Sequence, residues 1–105
     1  MSMNIYVLEL SCYKYYVGMT RRTVEERFNE HKSGFGSCYT KLYPALRIVE
    51  SFKTYDPFDE DKYVFKYMKK YGVDNVRGGS FSSIKLLGYD RIIFTKLFGM
   101  LQNDV

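Results

Sequence analysis

Two tyrosines, Tyr6 and Tyr16, an arginine, Arg27, and the chain's one histidine, His31, precede a run of acids at Asp56, Asp59, Glu60 and Asp61. These are residue types that move protons and neutralise charge. A guanidinium fork donates two parallel hydrogen bonds to an oxyanion and keeps its charge at any working pH. An imidazole can accept a proton near neutrality. A phenol, with an ordinary pKa near about 10, can do so only with help from a metal or a neighbouring cation. A carboxylate can hold a hard divalent ion. Brought together, such groups suit hydrolysis of a phosphodiester, which needs an activated water, charge neutralisation at phosphorus and help for the leaving oxygen. Taken singly, each has a plainer reading. Any one of 11 tyrosines can be a core aromatic, Arg27 can pair with Glu30, His31 can be structural, and acids collect at a helix start because of its dipole.

The elements that must position these groups can be read from the pattern. Asn4 to Leu10 and Tyr15 to Gly18 are β-branched and aliphatic runs joined by the short segment Ser11 to Lys14, which predicts a hairpin carrying Tyr6 and Tyr16 on adjacent strands. Thr23 and Glu26 have the spacing of a capping box and Gly34 supplies a stop, so a helix carries Val24, Arg27, Phe28 and His31 at helical spacing. Phe35 to Leu42 reads as a loop, and Leu46 to Phe52 as a third strand. A second helix runs from about Phe58 to Tyr71, ended by Gly72. Tyr63, Tyr67 and Met68 fall on one side of it, with Lys62, Lys66, Lys69 and Lys70 largely on the other. Glu60 shares the apolar side with Tyr63, Val64 and Tyr67, whereas Asp61 points away. Gly78 and Gly79 predict a tight loop, and a final helix is expected over residues 89–101.

A chain of 105 residues with 46% hydrophobic and 18% aromatic content suits one compact domain, and disorder is not expected. The net charge of +4 modestly favours a polyanionic partner. Arg21, Arg22, Lys66, Lys70 and Arg77 are candidates for tracking a phosphate backbone, Arg77 because adjacent glycines allow close approach. Cys12 and Cys38 form neither a metal-ligand pattern nor a disulfide framework, and read as reduced structural thiols of an intracellular protein. No stretch approaches a membrane span and no secretory signal is visible, so no membrane association is expected.

Ile5-Tyr6, then Tyr16-Val17-Gly18, then Arg27 and His31 on a helix together resemble the GIY-YIG nuclease family. Asn4 stands where the first motif has glycine and Val17 where the second has isoleucine, while both tyrosines are kept. Asn75, in the loop after the acid-bearing helix, extends the resemblance, so the motifs span residues 4–79. The resemblance implies an α+β domain with a small central antiparallel sheet of three strands flanked by helices. It also implies an endonuclease, with Tyr6, Tyr16, Arg27, His31 and Glu60 as catalytic residues and Glu60 holding a single Mg²⁺ or Mn²⁺. The partner is then nucleic acid, contacted in part by Asn75, and DNA rather than RNA only through the family. His31 either accepts a proton or holds Tyr16. A second reading is a non-catalytic module on the same fold, in which Tyr6, Tyr13, Tyr15 and Tyr16 stack on bases. A homodimer through the aromatic segment Phe35 to Tyr43, or a protein partner that supplies specificity, is compatible with either.

Overall fold

A computed structural model of the chain describes residues 2–83, and the helix expected over residues 89–101 lies outside them. β1 (Met3–Leu10) and β2 (Tyr15–Thr20) form the expected hairpin, paired antiparallel with Tyr6 opposite Gly18 and Leu8 opposite Tyr16. Cys12 and Tyr13, in the turn between them, adopt φ of 61° and 60°. Two successive left-handed residues match the right-handed twist of the flanking strands, and in non-glycine residues each costs about 1–2 kcal/mol.

The helix after the hairpin, α1 (Val24–Lys32), starts as its sequence predicts. Thr23 Oγ1 accepts from the Glu26 amide at 3.2 Å, a cap that contributes about 0.5–2 kcal/mol. The loop expected over Phe35 to Leu42 is a loop only in its first half. Ser37 caps a short helix, α2 (Cys38–Leu42), by accepting from the Thr40 amide at 3.2 Å. Five residues are too few to display a helical period in sequence. Cys12 and Cys38 are both free, as expected of reduced thiols, and both are exposed.

β3 (Ala45–Thr54) pairs antiparallel with the other edge of β1. This makes β1 an interior strand covered on both faces, and Ile5, Tyr6, Val7 and Leu8 are at most 1% exposed. Such a strand reads as a nearly continuous apolar run, but its alternation still divides the side chains. Tyr6, Leu8 and Leu10 join Tyr16, Val24 and Tyr39 on the α1 and α2 side. Ile5 and Val7 join Val17, Val64, Tyr67 and Met68 on the side of α3 (Asp59–Tyr71). Each such aliphatic, fully buried, contributes about 1.5–3 kcal/mol.

The sheet has four strands in the order β3-β1-β2-β4 and is mixed, not the three-stranded antiparallel sheet expected. The added strand, β4 (Val76–Gly78), lies parallel to β2 and occupies part of the expected tight loop. Three residues carry no readable alternation. Gly78, at φ 146°, presses on the Val17 carbonyl so closely that a β-carbon would collide with it. Strand formation here is decided by the neighbour it meets.

Candidate active site

The alternation of β1 turns Tyr6 under α1, where it is 1% exposed. Its hydroxyl lies 3.0 Å from Nε2 of His31, which is equally buried one helical turn beyond Arg27. Gly18, opposite Tyr6, leaves the space that the phenol ring occupies, since a β-carbon there would overlap it. Tyr16, two residues earlier on the same face, places its ring centroid 6.4 Å from that of Tyr6 and 4.9 Å from that of His31. Of the two roles considered for His31, holding Tyr16 is not the one observed: the histidine bonds Tyr6 and meets Tyr16 only ring to ring.

Arg27 lies at the outer side of this cluster. Its Nη1 donates to Glu30 Oε1 at 2.8 Å, and its positive charge acts on the Tyr6 phenol. Glu30 further accepts from Arg22 Nη2 at 2.6 Å, so one carboxylate holds both arginines.

Burial sets the electrostatics. It pushes the Tyr6 phenol well above its ordinary range, with Tyr16 and Glu60 adding to the rise and Arg27 opposing it. Tyr16 is raised as well, chiefly by burial, while the polar Ser37 side chain nearby favours ionisation. His31 is lowered to about 4 by burial and then by the positive charge of Arg27. The imidazole is therefore neutral at pH 7.

Glu60 arrives from the opposite layer. It sits in the first turn of α3 against Gly79, just past the end of the three-residue β4. Its charge is felt at both Tyr6 and Tyr16. Burial and the neighbouring Asp61 raise its pKa, and the Gly79 amide opposes them. The other acids of the cluster are engaged elsewhere. Asp61 takes the Ser80 amide at 2.9 Å and the Ser80 hydroxyl at 2.8 Å, Asp59 accepts from the Thr54 hydroxyl, and Asp56 pairs with Lys62 at 2.8 Å.

The remaining candidates separate. Arg21 and Arg22 are exposed at the start of the loop into α1, with Arg21 lining a groove beside Met19 and Tyr55. Lys66 and Lys70 are exposed on α3, over the rings of Tyr63 and Tyr71, in the layer across the sheet from Tyr6. Asn75 donates to the Tyr71 carbonyl at 2.7 Å and accepts from Lys14 at 2.7 Å, which ties the end of α3 to the hairpin. Arg77 departs furthest from expectation. Instead of facing a phosphate it is 2% exposed, donating to the carbonyls of Val73, Val76 and Ser83 with its guanidinium over the Tyr39 ring. A buried charge must be hydrogen-bonded, and the three carbonyls meet that need.

Two groups of the site were missed in the sequence. His31 Nδ1 lies 2.8 Å from Thr40 Oγ1, and Ser37 supports Thr40 through the threonine amide and hydroxyl. The available signal was a serine three residues before a threonine, the spacing of an N-cap. Gly36 belongs with them, because a β-carbon there would strike the His31 ring.

The family model described as the GIY-YIG catalytic domain matches residues 2–73, a span that contains Tyr6, Tyr16, Arg27, His31 and Glu60. No curated protein and no solved structure matches the chain.

Proposed function

This chain belongs to the GIY-YIG catalytic-domain family of nucleases, and from that premise we propose that it is a metal-dependent endonuclease cutting phosphodiester bonds in nucleic acid, DNA before RNA. The observation that carries this reading is the hydrogen bond between Tyr6 and a buried, neutral His31, with the positive charge of Arg27 acting on both groups. A core aromatic with a structural histidine has no use for a cation held beside it.

A phenol pushed upward by burial does not ionise near neutrality. Even an ordinary phenol would have to be deprotonated about three units below its pKa, at about 4 kcal/mol. Passing a proton through Tyr6 avoids that state: its oxygen takes a proton from water as its own moves to His31 Nε2. With a pKa of about 4, His31 holds that proton only transiently. Tyr16, packed beside the Tyr6 and His31 rings, orients the attacking water. Arg27 donates its fork to the non-bridging phosphate oxygens, while Glu30 keeps it aimed.

Glu60 is a half-buried carboxylate at the rim of the tyrosines, and among the described residues no group of three or more His, Cys, Asp or Glu side chains converges. That donor set fits a hard ion that keeps most of its water, as Mg²⁺ does and Mn²⁺ can. Glu60 would hold it, and when bound the ion neutralises charge on the phosphate and the leaving oxygen.

The stacking-module reading needs open rings. Tyr6 and Tyr16 are 1% and 8% exposed and Tyr15 stacks on Tyr71 at 4.1 Å, which leaves exposed Tyr13 as the one open ring of the four. The test is cleavage of labelled duplex, nicked, flapped and branched DNA, and of RNA, by purified protein with Mg²⁺ or Mn²⁺, beside folded Glu60→Ala and Arg27→Ala. Cutting by wild type and silence of both variants supports the proposal. Activity in Glu60→Ala moves the metal to another acid. Salt-sensitive binding without any cutting returns the chain to a binding module.

A further inference from the structure

We propose that Thr40 is a positioning residue that sets the tautomer of His31, holding its proton on Nδ1 so that Nε2 is open to accept from Tyr6. This deepens the nuclease reading and rests on it for its catalytic consequence. The tautomer itself does not.

The hydrogen-bond chain can be directed from Thr40. At the inner end, Thr40 Oγ1 lies 3.0 Å from the Ser37 carbonyl. A carbonyl only accepts, so the threonine hydroxyl donates there, as a threonine in the first turn of a helix commonly does to the residue three before it. Its oxygen lone pairs then face His31 Nδ1 at 2.8 Å, and that contact is a hydrogen bond only if Nδ1 carries the proton. At the outer end, the Tyr6 hydroxyl lies 3.0 Å from Nε2, which carries a lone pair when Nδ1 is protonated, so the phenol O–H donates to it.

The local fold is built around this contact. Thr40 and His31 are each 1% exposed, so neither can exchange its partner for water. Ser37 caps the short α2 through the Thr40 amide, which fixes the threonine relative to its own cap. Gly36 gives the imidazole edge its space. The opposite tautomer would place an N–H at Nε2, facing the phenol with no lone pair to receive a proton.

Because His31 is the chain's one histidine, its two ring nitrogens can be assigned without ambiguity by long-range ¹H–¹⁵N NMR. The spectra would be recorded for wild type, Thr40→Val, which keeps shape and loses the acceptor, and Thr40→Ser, which restores it. The expected result is protonated Nδ1 in wild type and in Thr40→Ser, and a mixed or reversed tautomer in Thr40→Val. Cleavage by Thr40→Val should fall on the order of 10-fold to 100-fold with nucleic-acid affinity unchanged, and recover in Thr40→Ser. Protonated Nε2 in wild type overturns the proposal, as does a Thr40→Val spectrum identical to wild type. Wild type alone decides the first point if Thr40→Val does not fold. If the tautomer follows Thr40 but wild type cuts no substrate, the positioning role stands and the nuclease reading fails.

Discussion

Gly18 stands directly across from Tyr6 on the neighbouring strand, at a distance where any β-carbon would overlap the phenol ring and its hydroxyl. The motif glycine is therefore required by the space the tyrosine fills, not by a special backbone angle. Gly18→Ala should displace Tyr6 from His31 and cost about 1–3 kcal/mol through overpacking. Cleavage should drop on the order of 100-fold, the usual consequence of misplacing a reacting group by about an ångström. Thermal unfolding and cleavage rates read the two effects separately. A folded variant with normal turnover would remove Tyr6 from the proton path.

Acid should weaken the fold through His31. Its folded pKa of about 4 lies below the ordinary value of about 6.5, so between those values the unfolded chain binds more protons. The stability this group contributes is complete above the unfolded value and is lost as pH falls toward the folded one, on the order of 3 kcal/mol in all. Urea unfolding at pH 7 and pH 4.5 measures it. His31→Gln, which does not titrate, should show a smaller loss, and equal losses would place the acid sensitivity elsewhere.

Glu60 and Asp61 are adjacent yet should fail differently. Glu60→Gln is expected to lose cleavage by at least about 100-fold, in line with removal of a group that stabilises the transition state, with little change in melting temperature. Asp61→Asn loses part of its grip on Ser80 and should cost about 1–2 kcal/mol while keeping turnover. Exchanged outcomes would make Asp61 the functional carboxylate.

Basic residues should divide by burial. Arg21→Ala and Arg22→Ala, if each removes one phosphate contact, lower the slope of log affinity against log salt by about 0.9. Lys66→Ala and Lys70→Ala, across the sheet, should change it less. Arg77→Met leaves three carbonyls without their donor and should cost on the order of 3 kcal/mol, seen as a lower denaturation midpoint. A normal midpoint with a reduced salt slope would restore Arg77 as a phosphate contact.

The hairpin turn can be improved. Cys12 and Tyr13 hold left-handed torsions without being glycine or asparagine, and Tyr13 is 86% exposed. Replacing the pair by Cys12→Asn with Tyr13→Gly supplies the residues this turn prefers and should add about 1 kcal/mol. An unchanged or lower midpoint in chemical denaturation would mean that the turn carries no such strain.

The hairpin, α1 with its Thr23 cap, β3 and α3 were all legible in the chain, because each is long enough to show a period or carries a cap at fixed spacing. Helical spacing also placed Arg27 and His31 one turn apart on α1, while their grouping with Tyr6 and Tyr16 was implied by the resemblance. Tertiary structure decided what lies below that length or depends on a distant neighbour. β4 is a strand only because β2 lies beside it, and α2 is a helix only five residues long. Arg77 is buried because its carbonyl partners converge from Val73, Val76 and Ser83. Thr40 meets His31 for the same reason, since local sequence rules describe a residue and its near neighbours, while a hydrogen bond across nine positions depends on how the connecting chain folds back.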